Sequence, residues 1–502
     1  MFDISKSKYC RGIQCPKMLW MDLHMPEKAE DVLSETVMAN GNMVGELARE
    51  YFGSYELVPF DYQKQVMADK TAELMKAGTE NIAEAAFYVD GLYCAVDILH
   101  RDGDGYNIVE VKSSTHVSDI YLEDMSFQYY VLQRCGVPVN KVCILYLNNH
   151  YVRRGPLELD KLFILEDYTE IAQKKASVVA ENIAVFRDYI RNEEEPEKDL
   201  DVCCASPYDC AYYSYCSRHL PSPSIFDIRR LTSAKKYEYY HQGIVSYQDI
   251  IENQPPLGPK QMKQVESEYY SRADEVRPRA IKAFLKKLHY PLYHLDFETF
   301  QQAVPLYDGI SPYAQIPFQY SLHIEQEDGT LEHREFLAKE GTDPRRAVAE
   351  HICADIPTDV CVLAYNMSFE RRVLQGLADT FPDLAEHLLA VRENIMDLMD
   401  PFREQAYYSR AMQGSYSIKY VLPALCPGDP ELDYHALEGV HNGGEASAAF
   451  ADMPNHTPEE IAVIRKNLLA YCGLDTLAMV KVLEKLRDCV KENEETDKGE
   501  HR

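Results

Sequence analysis

Apolar positions follow a different rhythm in each of three stretches of this chain. From residue 1 to about 222, a helical stretch around "NGNMVGELAREYF" precedes two short strand-like runs, "AVDIL" and "YNIVEVK". The runs flank Asp102-Gly103-Asp104-Gly105, strong turn chemistry for a hairpin. This stretch ends in a cysteine-rich segment and "PSPS", a linker signal. Residues 223–285 are helical and polar, from "IRRLTSAKKYEYYHQGIVSYQDIIE" to "QMKQVESEYYSRADEV". Strand-like "YPLYHLDFETF" then opens a region, 286–490, in which strands and helices alternate, and the charged residues 491–502 read as a flexible tail. The expectation is an α/β protein with a nuclease-sized first domain, a helical linker module and a last domain built on a mixed sheet.

The last region carries an arrangement of acids that needs explaining. Asp296 and Glu298 lie two apart in the strand "LYHLDFETF", so both project from one face of a segment that reads as buried. Paired carboxylates there are costly unless a positive group lies between them. Downstream, the apolar run Val360 to Tyr365 leads into Asn366, read as a helix N-cap, with Glu370 in the first turn that follows. Later, "NLLAYCGLDTLAMVKVLEKL" has a helical period that puts Tyr471 and Asp475 on one face. Each feature alone is commonplace; in this order they form a candidate site.

"HLDFET", "YNMSFE" and "YCGLD" resemble the three motifs of the DEDD 3′–5′ exonucleases, in their tyrosine-bearing (DEDDy) subclass, on the RNase H-like fold. The second motif usually reads Asn-x-x-x-Asp, so Glu370 is one methylene longer than the family's residue. The resemblance implies that Asp296, Glu298 and Asp475 hold two divalent cations against a scissile phosphate, with Glu370 reaching the outer ion through water. It also implies that Tyr471 orients or deprotonates the attacking water and that Asn366 touches substrate. All the ligands are hard oxygens, which suits Mg²⁺ or Mn²⁺.

A second constellation lies in the hairpin. With the turn centred between Gly103 and Asp104, Asp97 sits opposite Glu110, and Lys112 shares the face of Glu110. That set alone is common in exposed hairpins. Of 14 cysteines, eight are scattered and read as small hydrophobes, whereas Cys10, Cys15, Cys203, Cys204, Cys210 and Cys216 fall in two tight clusters, "KYCRGIQCPKMLW" and "VCCASPYDCAYYSYC". One early cysteine and three late ones resemble the iron–sulfur RecB-like PD-(D/E)xK nucleases of the CRISPR-associated and AddB type, on a restriction-endonuclease-like fold. The resemblance implies Mg²⁺ or Mn²⁺ on Asp97 and Glu110 with help from the Val111 carbonyl. Lys112 would position water, and Gln128 of "DMSFQYYVLQ" would contact substrate. Cys15, Cys204, Cys210 and Cys216 would hold a 4Fe–4S cluster, with Cys10 and Cys203 as alternates and zinc as the alternative metal. The first interval of the late cysteines departs from the usual C-x-x-C-x5-C. Glu46 and Glu84 are further candidates beside the metal. Together the two likenesses resemble bacterial proteins, in a family of unknown function, that fuse a RecB-like nuclease to an RNase H-like exonuclease.

Charge qualifies this picture. A formal net charge of −29 argues against tight coating of nucleic acid, though not against catalysis in a locally basic cleft. No run of about 18 apolar residues is present, and the amino terminus lacks a signal-peptide pattern, so a cytoplasmic location without membrane contact is expected. The expected activity is hydrolysis of nucleic acid ends, DNA rather than RNA, alongside a helicase or a repair or defence factor. Alternatives are a nucleic-acid-binding scaffold with one inactive centre, or an RNA exonuclease.

Overall fold

Two mixed sheets form the frames of the two units, one in each. The computed structural model describes residues 3–31 and 35–500. The chain divides into one unit of residues 1–220 with 302–314 and another of residues 221–301 with 315–502. Residues 223–285, expected as a separate module, belong to the second unit. Among the described residues no helix is long and apolar enough to cross a membrane.

The first unit contains helices α1 (Lys6–Gln14), α2 (Pro16–His24), α3 (Glu35–Glu50), α4 (Lys64–Ala77), α5 (Asp119–Arg134) and α6 (Thr169–Tyr189). Its main strands are β1 (Asn81–Val89), β2 (Leu92–Asp102), β3 (Gly105–Lys112), β4 (Val139–Leu147) and β5 (Phe163–Asp167), adjacent in that order. Glu56–Leu57 and Ile4–Ser5 add short parallel edges to β1 and β2, making seven strands where the sequence suggested two short ones. Only the β3–β4 step among the main strands is parallel, and α5 makes the crossover that such a step requires. The hairpin register is as expected, pairing Ile98 with Val109 and Asp102 with Gly105. Burial slips at Asp97: Leu92, Cys94 and Val96 share a core with Leu99, although simple alternation would put Leu99 on the other face. Glu84, bracketed opposite Asp97, has a left-handed φ of 54° at that point. Gly12 lets α1 lie tightly on α6, because a Cβ there would stand 2.7 Å from the Phe186 ring. That packing sets the position of Lys6, the first residue of α1.

In the second unit, strands β6 (Leu292–Phe300), β7 (Ile316–Glu325), β8 (Leu331–Leu337), β9 (Cys361–Ala364) and β10 (Ile395–Asp397) lie in the order β8-β7-β6-β9-β10. The β8–β7–β6 half is antiparallel and the β6–β9–β10 half parallel. The helices used below are α7 (Arg345–Asp355), α8 (Ser368–Thr380), α9 (Ile418–Leu425), α10 (Gly443–Asp452) and α11 (Pro458–Glu500). Residues 491–500, expected as a loose tail, continue α11, and residues 501–502 lie outside the described residues. Helices Ser233–His241, Tyr247–Asn253 and Pro259–Tyr269 surround a small core of Ile225, Tyr239, Ile250 and Val265.

Alternation on β6 and β7 decides where the site forms. Tyr293, Leu295 and Phe297, with Tyr320, Leu322 and Ile324, pack against Ala349 and Ile352 of α7 and Leu374 and Leu377 of α8. The intervening positions point to the other face. There His294, Asp296 and Glu298 lie beside His323, Ser321 and Gln319 respectively, and α11 covers them. Every residue of β7 is buried, so its polar side chains must find partners on α11. Gln319 donates to the Leu468 carbonyl (2.8 Å), Ser321 and His323 bond Thr476 (2.6 and 2.8 Å), and Arg487 pairs with Glu325 (3.2 Å).

Leu322→Ala, at a fully buried position, should destabilise the second unit by roughly 2–5 kcal/mol in urea denaturation. Leu331→Ala, at a 40% exposed position, should stay within about 0.5 kcal/mol of the wild type.

Candidate functional site

The polar face of β6 brings Asp296 and Glu298 beneath α11, where Asp475 and Tyr471 meet them one helical turn apart. Atoms of Asp296, Glu298 and Cys472 that can bind metal lie within 4.8 Å of one another. The Cys472 Sγ stands 3.9 Å from Asp296 Oδ2. Burial and the charges of Asp475, Glu298 and Glu370 push the Asp296 carboxyl well above its ordinary range. Burial and Asp475 raise Glu298 to about 8, and burial raises Asp475 to about 6. Tyr434 donates to Asp475 at 2.6 Å, and Lys419, exposed on α9, partly offsets the charge of both Glu298 and Asp475.

Glu370 enters from the β9–α8 turn, where buried Asp397 accepts from the backbone N–H groups of Asn366 and Met399, both at 3.0 Å. Asn366 takes a left-handed φ of 71° and Met367 occupies the N-cap, so the expectation that Asn366 caps α8 is corrected. The Asn366 side chain is exposed and accepts from Ser368. Glu370 is 2% exposed, its Oε2 lacks a hydrogen-bond partner, and burial raises its pKa to about 8.

Among the described residues, no Lys, Arg or His side chain forms an ion pair with Asp296, Glu298, Glu370 or Asp475. Such a group is stable only when protonated or when a cation joins it. Its oxygen donors fit a hard divalent ion. Cys472 lies within reach of the same point, and burial and the carboxylates hold its thiol well above the ordinary value. Tyr471 is likewise held far above the usual phenol value, so in this state it is a donor rather than a base.

The hairpin site of the first unit solves the same problem differently. Lys6 Nζ stands 2.9 and 3.1 Å from the two oxygens of Glu110 and 3.4 Å from Asp97 Oδ1. Lys112 bridges Glu110 (2.7 Å) and Asp124 (2.8 Å). Asp97 accepts from Val111 N–H at 2.7 Å. Burial would raise Glu110, but Lys112 and Lys6 hold it well below the usual range, while burial and Glu110 push Asp97 to about 7. The carboxylates suit a hard ion, yet Lys6 already stands where one would bind, so the set fits a divalent ion only with Lys6 displaced. Gln128, expected against substrate, is fully buried and donates to Glu110 (2.7 Å) and Asp124 (3.0 Å), which makes it a positioning residue. The site opens into a cleft of about 770 Å³ that also includes Arg49, paired with Glu84 at 3.1 Å. Glu46 is exposed and does not line it.

Cys15, Cys204, Cys210 and Cys216 line one small cavity of about 20 Å³. Hydrogen bonding from Cys203 lowers the Cys15 thiol to about 6. Of the alternates, Cys203 contacts the set and Cys10 does not: Cys10 lies against the Ile120 carbonyl and lines the hairpin cleft instead. Four sulfur donors suit zinc or iron–sulfur chemistry. The space between them holds about one water-sized sphere.

Lys6, Asp124, Lys419, Tyr434 and Cys472 were not singled out from the sequence. Asp124 had a usable signal, four residues before Gln128 on one helix. Tyr434 sits in a short 3-10 turn and has no periodicity to announce it.

Residues 293–417 match a family described as a domain of unknown function, DUF2779. The DUF2779 region contains Asp296, Glu298 and Glu370 and stops before Tyr471 and Asp475. Over 222 residues the chain is 23% identical to the Uncharacterized protein MG366 of Mycoplasma genitalium, covering 40% of this chain and 32% of that protein. The chain thus spans about a third of the length of that relative.

Raised carboxyl pKa values mean that the folded second unit binds protons more tightly than the unfolded chain, so its stability should fall as pH rises from about 4.5 to about 8. Thermal melts in EDTA should show this decline, and Mn²⁺ should stabilise more at pH 8 than at pH 5; a flat profile would contradict the charge arrangement. In the first unit, Lys6→Met should tighten Mn²⁺ binding at the hairpin roughly fivefold, about 1 kcal/mol, by calorimetry in an Asp296→Asn background.

Proposed function

We propose that this chain is a metal-dependent nuclease hydrolysing phosphodiester bonds at nucleic acid ends, with its hydrolytic centre at Asp296, Glu298 and Asp475. The observation carrying this reading is the convergence of three carboxylates from a strand and a helix, with no Lys, Arg or His ion-paired to them among the described residues and only Lys419 acting on them from a distance. The β8-β7-β6-β9-β10 order, with its antiparallel half and parallel half, supports an RNase H-like domain of the 3′–5′ exonuclease type. Bound Mg²⁺ or Mn²⁺ would supply Lewis acidity and neutralise charge on the phosphate.

The chain's own residues set the conditions. Asp296, Glu298 and Asp475 are the ligands, and Tyr434 orients Asp475 through its 2.6 Å bond. Tyr471 presents an O–H for orienting water or phosphate. Glu370, turned inward by the Asp397-held loop, supplies an outer carboxylate with a free oxygen. Exposed Asn366 faces substrate at the same turn.

A second, RecB-like centre at Asp97, Glu110 and Lys112, closed by the cysteine pocket, is part of the same proposal. The Lys6 and Lys112 ion pairs favour the reading that this centre is inactive until Lys6 moves, leaving the first unit as a binding element. Anaerobically purified protein should carry iron and inorganic sulfide, with stoichiometric zinc as the alternative at the same four cysteines.

End-labelled single-stranded DNA and RNA digested side by side with Mn²⁺ test the activity. Asp296→Asn should lose at least about a hundredfold in rate, while Asp97→Asn keeps most of it. Asp296→Asn should also melt higher than wild type in EDTA, because a repelling charge is gone. Equal digestion by wild type and Asp296→Asn would overturn the assignment.

A further inference from the structure

A cleft of about 450 Å³ in the second unit is lined by Arg229, Arg230, Lys236 and Arg410, against the acids Asp227 and Glu268. The Asp227 carboxylate is already engaged in capping Ser224, at 2.6 and 3.0 Å, and Glu268 stands 4.0 Å from Arg410. In a chain of net charge −29, this is a local excess of positive charge. The arginines are held by tyrosine faces: Arg229 lies 4.5 Å from the Tyr420 ring centre, and Arg230 4.1 Å from that of Tyr416. Lys260 lies 5.3 Å from the centre of the same Tyr416 ring. A guanidinium stacked on a ring keeps its N–H edge for an oxyanion. Arg229 Nε is buried and has no partner, and exposed Arg230 pairs with no carboxylate among the described residues. Tyr416 and Tyr420 also flank Lys419, the residue whose charge reaches Glu298 and Asp475.

We propose that this cleft is a phosphodiester-backbone subsite, and that Arg230, Arg229 and Lys419 mark the path of a single nucleic acid strand toward the carboxylate centre. The proposal rests on the nuclease reading above and extends it to how substrate is held. Because the tyrosine faces carry arginines, they are not open to bases, so recognition falls on phosphates and is independent of sequence. Such binding depends steeply on salt. The path also reconciles an acidic chain with a polyanionic substrate, since the positive charge is concentrated where the strand would lie.

The test is fluorescence anisotropy of full-length protein with a labelled oligodeoxythymidine of about 20 nucleotides in EDTA, across a salt series. The double variant Arg230→Glu/Arg410→Glu should weaken binding at least about tenfold and flatten the salt dependence by about two units of slope. Its Mn²⁺-dependent hydrolysis of a thymidine nitrophenyl phosphodiester, too short to reach the cleft, should equal wild type. Unchanged affinity and slope would overturn the subsite, as would polyglutamate competing as well as the oligonucleotide, which would mark an acidic protein as the occupant. If the variant loses binding while Asp296→Asn digests DNA at the wild-type rate, the subsite stands and the hydrolytic centre falls; the reverse pattern removes the subsite alone.

Discussion

Mutual repulsion among buried carboxylates is the constraint around which the second unit is organised. Asp296, Glu298, Asp475 and Glu370 come from segments far apart in sequence; the other three make Asp296 harder to ionise, and Asp475 does the same to Glu298. Here the surrounding structure works to keep the charges together: Tyr434 holds Asp475, Asp397 holds the turn behind Glu370, and α11 closes over the sheet.

The two acidic sites are two solutions to one electrostatic problem. In the hairpin, Lys6 and Lys112 of the chain itself pair with Glu110 and hold it ionised, while Asp97 beside it stays raised. Beneath α11 no such ion pair forms among the described residues, and the carboxyls are raised far enough to hold protons unless a cation joins them. The left-handed φ of Glu84 and of Asn366, one beside each site, is the kind of local strain that concentrates at functional positions.

Features governed by short-range periodicity were legible in the sequence. The two-residue spacing of Asp296 and Glu298, the four-residue spacing of Tyr471 and Asp475, and the register of the Asp102–Gly105 turn follow from strand and helix geometry and appear in the structure as expected. Four cysteines chosen by likeness line one cavity. What stayed hidden depends on tertiary encounter. Lys6 reaches Glu110 across 104 residues, and Tyr434 reaches Asp475 from a segment without repeat. The run "FQYSLHIE" alternates as a strand with one wet face would, yet α11 buries that face completely. Asn366 misled because a good capping residue was also one of the few tolerant of a left-handed turn.

That buried alternation has a mechanical consequence. Gln319, the Ser321–His323 pair and Glu325 find their partners on α11 at Leu468, Thr476 and Arg487, three unevenly spaced anchor points along one rod. Apolar packing tolerates sliding, but sliding this rod by a single turn would orphan every one of these groups at once. The row therefore works like a keyed lock, admitting one axial setting of the helix and so fixing the height at which Tyr471 and Asp475 hang over the strand.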